Sequence, residues 1–480
     1  MSRKKKEKPI VELEIESIAF EGQALARKEN LVYFVKYAVP GDVVKVRALR
    51  KRKGYVKTQL LEVLKKSEIR IEPKCRYFGV CGGCSWQNLD YSVQLSWKKR
   101  HVKDAFERIG KVEYGILYDV LASPKVFNYR NKMEFSFGAS RWLEDREISE
   151  GAEIKNKDFA FGLHIPGRYD KILDIEECHI QPESGNEILN VFRDKALSLG
   201  LSAYHQREHT GFLRNLVLRS SELHGQMMVI LITQTPTSDK ENEFINWYLN
   251  DVQKLFPFIS SLIYAVNDTV SPVASGEIKT VKGDDYLSER ILDVEFKISP
   301  FSFFQTNPLQ LNQFIGKIID TASLKSDITV WDLYCGTGSI TLPASKRVKK
   351  IYGFEMVESS IMDAKANAKF NNISNAEFTA MDLHSKDVEN LLAGFEKPDM
   401  IFIDPPRAGM HKNLVQLLRM LEVPEIVYVS CNPSTQARDC SLLADKYTIE
   451  SLQPVDMFPH TYHIENIALL KLKNNDELGS

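Results

Sequence analysis

The sequence predicts a multidomain α/β protein. A small β-barrel comes first, a mixed α+β region follows, and a Rossmann-like doubly wound sheet ends the chain. Three observations carry this. The chain has 480 residues, more than one hydrophobic core organises, so roughly two to four domains are expected. Residues 9–64 break into short alternating runs separated by Gly and Pro turns. From about residue 325, apolar runs of strand length alternate with helical segments, the pattern of a parallel sheet.

The barrel rests on the first of these patterns. Residues 11–15 alternate apolar and acidic side chains, residues 33–35 form a second apolar run, and Val39-Pro40-Gly41-Asp42 reads as a turn. Residues 44–47 alternate again and 57–63 supply a further strand. Residues 1–66 carry 17 Lys or Arg against 8 Asp or Glu, an excess of +9 in a chain whose net charge is −1. Such an imbalance fits contact with a phosphate backbone. A solvated basic tail is the plainer alternative, and it suffices for the first eight residues.

In the middle, residues 70–90 are rich in Cys and Gly and read as irregular. A helix is expected over about 91–110, closed by Gly110 and able to pack on the C-terminal unit. Residues 133–137, 216–218 and 228–232 read as strands of a mixed sheet, and the charged stretch 144–157 as an exposed loop. The expected divisions are 1–66, 67–295 and 296–480.

Hydrophobic residues make up 43% and charged residues 26% of the chain, as in ordinary soluble proteins. No apolar run approaches the ~18 residues that span a bilayer. The basic start has no apolar stretch behind it, so no secretory signal is read there. A cytoplasmic, monomeric protein with no membrane and no obligate protein partner is expected. Seven cysteines, an odd number, argue against a disulfide framework.

Four motifs carry chemistry. Asp332-Leu-Tyr334-Cys-Gly336-Thr-Gly338-Ser339 follows a strand, and its glycines let a ligand approach the backbone. Glu355 ends the next strand, where a carboxylate can bond a ribose diol. A dinucleotide site favours a third glycine where Thr341 stands, so S-adenosylmethionine is the better fit. A bare glycine turn leaves Glu355 unexplained. Asp404-Pro-Pro-Arg407-Ala-Gly409 begins at the end of another buried strand. It resembles the Asp-Pro-Pro-aromatic loop of amino-methyltransferases, but Arg407 replaces the stacking aromatic and counts against adenine chemistry. A merely rigid loop is the alternative.

Ser430-Cys431-Asn432-Pro433 stands at a third strand end. Most lone cysteines are small buried apolar residues. A thiol at the same sheet edge as a methyl-donor site meets a specific need, because C5 of a pyrimidine is a poor nucleophile. Thiolate addition at C6 turns C5 into an enolate carbon that can attack a sulfonium methyl. The C5 proton must then leave, and Glu465 is the candidate base, with His460 and His463 as alternatives. The fourth motif is Cys75-x5-Cys81-x2-Cys84, with Cys178 the remaining cysteine in the N-terminal 300 residues. This spacing favours a [4Fe–4S] cluster over zinc, although His179 beside Cys178 keeps zinc open.

Taken together, Ser-Cys-Asn-Pro, Asp-Pro-Pro-Arg-x-Gly and Cys-Gly-Gly-Cys resemble the RNA uracil-C5 methyltransferase family over nearly the whole chain. The resemblance implies that the barrel is an OB-like TRAM domain. It implies that Cys75, Cys81, Cys84 and Cys178 hold a [4Fe–4S] cluster. It assigns cofactor contacts to Gln305, Tyr334, Ser339, Glu355 and Asp404, with Asp382 near another, beside the turn glycines Gly336 and Gly338. Cys431 matches the nucleophile and Glu465 the base. Bacterial tRNA-specific members lack the TRAM domain and the cluster, so the resemblance is nearer to the 23S ribosomal RNA branch. The stretch 144–157 departs from the family pattern. Polar methyl transfer needs no electron, so a structural cluster is expected, with redox sensing the alternative. Two other classes stay open, a non-catalytic RNA-binding assembly factor and a cytosine-C5 enzyme. The latter presents its cysteine after a proline, whereas Ser430 precedes Cys431.

Overall fold

The structure, a computed structural model, describes residues 8–144, 147–148 and 156–474. Most of the charged stretch 144–157, and most of the basic start, lie outside the described residues. Three large sheets and one two-stranded hairpin form the framework. The N-terminal sheet has six strands, in the order Ile10–Glu14, Val43–Arg52, Tyr55–Lys65, Leu31–Val35, Ala24–Lys28, Ser17–Ile18. It curls round its own core of Leu13, Ile15, Ala24, Val35, Val44 and Val46. The order begins and ends on one run of chain, since only Ile15 and Glu16 separate its first and last strands, and the Glu16 N–H donates to the Leu25 carbonyl at 2.9 Å, which bends the sheet round toward closure.

The central sheet has eight strands, from Glu277–Gly283 at one edge to Arg141–Trp142 at the other. Helices Glu183–Leu199 and Asp239–Leu255 bury one face of it. The second of these starts at a full capping box, Ser238 with Glu241, which satisfies two otherwise orphaned N–H groups.

The C-terminal sheet positions the site. Its order is Ala376–Ala380, Lys350–Glu355, Thr329–Leu333, Met400–Ile403, Glu425–Ser430, Glu465–Leu472, Tyr447–Val455, Ile116–Leu117. The first five strands are parallel. Glu465–Leu472 runs antiparallel to both neighbours, so the sheet is mixed rather than parallel throughout. The reason is local. Only residues 456–464 join the last two strands, and a parallel connection needs a crossover of about a dozen residues or more.

The helix Tyr91–Asp104 continues as a wider turn over Ala105–Gly110, and Val102, Ala105 and Phe106 enter the core of the C-terminal sheet. Gly110 is required by packing, since a Cβ there would lie 2.7 Å from the Ala437 carbonyl oxygen. Lys98 and Asp456, both fully buried, pair at 2.5 Å. Lys98 also donates to the Phe458 carbonyl at 3.1 Å, and Tyr91 donates to Asp456 at 2.9 Å. Losing one partner of such a pair costs about 3–5 kcal/mol, because the other charge is stranded. The pair therefore fixes residues 456–463, which lead directly into Glu465.

Candidate active site

Five strand ends converge on two joined cavities. After Thr329–Leu333 the chain turns at Tyr334, which adopts φ +68°, and at Gly336, φ +53°. Asp332 is buried and accepts a hydrogen bond from Thr341 Oγ1 at 2.5 Å. Burial, opposed by that bond and reinforced by Asp404, pushes its carboxyl up to about 7. Glu355 accepts from the Gly336 N–H at 3.3 Å and the Val357 N–H at 2.9 Å. Asp382 accepts from the His384 N–H at 2.8 Å.

The first cavity, about 310 Å³, is lined by Gln305, Tyr334, Gly336, Ser339, Glu355, Asp382 and Asp404. Gly338 does not line it. Its φ of +84° serves the turn, and a Cβ there would face Leu342 and Phe378. A Cβ on Gly336 would meet open space, and the buried Tyr334 hydroxyl has no hydrogen-bond partner among the described residues. A cleft with three carboxylates and an orphaned hydroxyl suits a cationic ligand rich in hydroxyl groups.

The second cavity, about 810 Å³, shares Phe303, Phe304, Gln305, Asp404 and Pro406 with the first. Cys431, Arg407, His463 and Glu465 stand in its wall. Ser430 pairs with Asn466 in the antiparallel ladder, so continuing the register sets Cys431 opposite Glu465. Cys431 lies one residue before Asn432, which caps helix Pro433–Leu443 by accepting from the Ser434 N–H. Desolvation, then Glu465 and Asp404, push the Cys431 thiol up to about 11, while Arg407 opposes them. Glu465 is 5% exposed; burial and the nearby Asp404 hold its carboxyl well above the usual range. Burial alone pushes Asp404 up to about 7.

The alternative bases fare differently. His460 is buried at 4% exposure, lies 3.2 Å from Gln94 through Nδ1, stacks on Phe127 and does not line either cavity. His463 does line the second cavity, but its Nδ1 is taken by Arg407 at 2.6 Å. Phe304 is core, at 6% exposure, whereas Phe303 is 71% exposed at the junction of the cavities.

Cys75, Cys81, Cys84 and Cys178 also line the second cavity and form no disulfide. Desolvation raises all four thiols, and each of Cys84 and Cys178 is raised further by other members of the quartet. Among the described residues, no three His, Cys, Asp or Glu side chains converge closely enough to hold one metal ion. Just after Cys84, the N–H groups of Ser85 and Trp86 both donate to the His460 carbonyl, at 2.9 and 3.0 Å. The cysteine loop is thereby tied to the loop that leads into Glu465. Sequence reasoning missed this tie and the Arg407–His463 contact. Arg407 was visible within Asp-Pro-Pro-Arg, but nothing in its spacing pointed at position 463.

Residues 274–473 match the family model described as tRNA (uracil-5-)-methyltransferase. An uncharacterized RNA methyltransferase of Bacteroides thetaiotaomicron is 41% identical, over 95% of this chain and 100% of its own. One from Porphyromonas gingivalis is 36% identical, over 95% and 99%. The crystal structure of Pyrococcus abyssi tRNA (uracil-54, C5)-methyltransferase in complex with S-adenosyl-L-homocysteine superposes with a TM-score of 0.74. It is 28% identical and covers 96% of this chain and 100% of its own. The family model spans the C-terminal sheet with the strand ends that carry the two cavities, the relatives and the solved structure cover 95–96% of the chain, and the chain belongs to the RNA uracil-C5 methyltransferase family.

Proposed function

We propose that this chain methylates C5 of a uridine in 23S ribosomal RNA, with S-adenosylmethionine as donor. The observation that carries the uridine-C5 chemistry is the facing pair Cys431 and Glu465, in a cavity that opens onto the carboxylate-lined cleft at Gln305, Asp404 and Pro406, while the choice of ribosomal RNA rests on the sequence resemblance. The donor supplies an electrophilic methyl group. Cys431 gives up its proton to solvent and its sulfur bonds to C6, so the C5=C6 electron pair passes toward O4. C5 then takes the methyl group as the donor's sulfur–methyl bond breaks, its electron pair staying on the donor sulfur. Glu465, as carboxylate, removes the C5 proton, C5=C6 re-forms, and the electron pair of the S–C6 bond returns to sulfur. Gln305, Tyr334, Ser339, Glu355, Asp382 and Asp404 hold the donor. The turn glycines divide: Gly336 allows close approach, and Gly338 shapes the turn.

The chain divides into units 1–66, 67–295 and 296–480, with residues 91–117 docked on the last. The first serves as a TRAM-like RNA-binding unit. Arg50, Lys51, Arg52 and Lys53 are exposed at the turn between its two longest strands. Changing these four to Gln should weaken RNA binding and flatten its salt dependence, by up to about 0.9 in log–log slope for each phosphate no longer neutralised. An unchanged slope would place the phosphate-binding surface elsewhere.

Four thiols lining one cavity suit a [4Fe–4S] cluster, in which each thiolate binds a different iron, so the four sulfurs stand farther apart than they do around a single ion. Cys75, Cys81, Cys84 and Cys178 would hold it, as a structural tie for the loop bonded to His460. Anaerobically purified protein should be brown with about four irons per chain. One zinc and no iron would overturn this assignment.

A tRNA substrate is the second reading. The match to the Pyrococcus tRNA enzyme covers 96% of the chain, a span that takes in the N-terminal sheet and the cysteine loop. Mapping 5-methyluridine in ribosomal and transfer RNA, with and without the gene, separates the two. Loss of a 23S site supports the first reading. Loss confined to tRNA replaces it, and no loss in either overturns both.

A further inference from the structure

We propose that the Arg407 guanidinium is the counter-charge of the Cys431 thiolate, held in place by His463. This rests on the reading of Cys431 as nucleophile. Arg407 Nη2 lies 2.6 Å from His463 Nδ1. A guanidinium can only donate, so that nitrogen accepts and the imidazole is neutral. Burial and the charge of Arg407 agree with this, holding His463 down at about 4. His463 is itself held, by a ring contact with Tyr462 at 4.3 Å and by its backbone N–H, which donates to Thr461 Oγ1 at 3.2 Å.

The backbone of Arg407 is fixed from the nucleophile's side. Its carbonyl accepts from Asn432 Nδ2 and from Thr435 Oγ1, each at 3.2 Å. The next carbonyl, of Ala408, accepts from Arg438 at 2.9 Å. Pro405 and Pro406 limit what freedom remains. The Asp-Pro-Pro-Arg loop and the Ser-Cys-Asn-Pro loop therefore move as one piece, with the guanidinium carried on one and the thiol on the other.

Among the described residues, the charges acting on the thiol are those of Glu465, Asp404 and Arg407, and of these Arg407 alone favours the ionised sulfur, by its charge and by a side-chain hydrogen bond. A thiolate formed between two carboxyl groups in a desolvated cavity is expensive without a cation. Arginine cannot take the thiol proton, so its part is electrostatic. It acts twice. It stabilises the thiolate before the S–C6 bond forms, and again when that bond breaks and its electron pair returns to sulfur. His463 is the positioning residue, since without its Nδ1 the long side chain is free to turn into the cavity.

The test uses the full chain without RNA or donor. Iodoacetamide alkylation of Cys431 is followed at pH 8 by mass spectrometry of its peptide, with buried Cys335 and Cys440 as internal controls. Arg407→Gln should slow Cys431 alkylation about tenfold, the loss of thiolate for one unit of pKa. Arg407→Lys should recover most of it, and His463→Leu should fall between. Methylation kcat should follow the same order. An Arg407→Gln alkylation rate equal to wild type overturns the proposal, even where kcat falls, since Arg407 then serves RNA contact alone. Failure of Lys to recover a loss seen with Gln also overturns it, because the effect is then not one of charge. Cys431→Ala with retained methylation would instead sink the nucleophile assignment, which the alkylation rates do not address.

Discussion

Cys431→Ala is expected to lose methyl transfer by at least about a thousandfold, while binding of S-adenosylmethionine changes less than about twofold. The two effects separate because the cavities do. Cys431 stands in the wall of the larger cavity and is not among the residues lining the 310 Å³ cleft. Without a thiolate at C6, C5 stays electron-poor and has no route to the donor methyl. Equilibrium dialysis with labelled donor, beside single-turnover methylation of RNA, reads both quantities. Turnover by the alanine variant above that thousandth would sink the mechanism. The pH dependence has a definite sign. Cys431 is pushed up to about 11 and Glu465 is also raised, and both must lose a proton to act. Asp404, pushed up to about 7, ionises over the lower part of the range. The rate should therefore rise from pH 7 to pH 9 without an acid-side optimum.

How far the site could be read in advance depended on strand polarity. Asp404, Glu355 and Cys431 each follow an apolar run, and in a parallel sheet such ends gather at one edge. Their meeting was legible for that reason. Glu465 was different. It opens a strand that inserts antiparallel between Glu425–Ser430 and Tyr447–Val455, and no periodicity in one chain states which neighbours a strand will choose. It was nominated only because the Cys431 chemistry needs a base, with His460 and His463 as alternatives, and the family resemblance matched it to that role. The supports of the site were hidden more deeply. Lys98 and Asp456 are 358 positions apart, and a lysine on a helix reads as surface until its partner is seen. The same holds for Gln94, whose side chain accepts from the His460 N–H at 2.9 Å across 366 positions. Phe303 and Phe304 were equivalent by composition, and only the structure sorts one to the junction of the cavities and the other to the core.

Glu465→Gln is expected to stop the reaction after methyl transfer, leaving a covalent protein–RNA adduct that already carries the new methyl group. After transfer, C5 holds both a proton and a methyl group, and C6 is still bonded to Cys431. Expelling the thiolate requires the C5 proton to leave first. A carboxylate in this position can take it, and burial beside Asp404 makes Glu465 a stronger base than an ordinary glutamate once ionised. An amide of the same shape cannot take it. The adduct should survive denaturing electrophoresis and contain label from methyl-labelled donor. It should vanish in the double variant with Cys431→Ala, because the bond to RNA is the S–C6 bond. The substitution also removes a carboxyl that opposes ionisation of Cys431, so addition at C6 should not be slowed. Adduct formation is therefore expected at a rate near that of wild-type turnover, with steady-state release down by about 10²-fold or more. Turnover at the wild-type rate would move the base elsewhere. A variant that neither turns over nor accumulates adduct would mean that Glu465 acts before methyl transfer, in positioning the uridine, and its assignment as the base would fall.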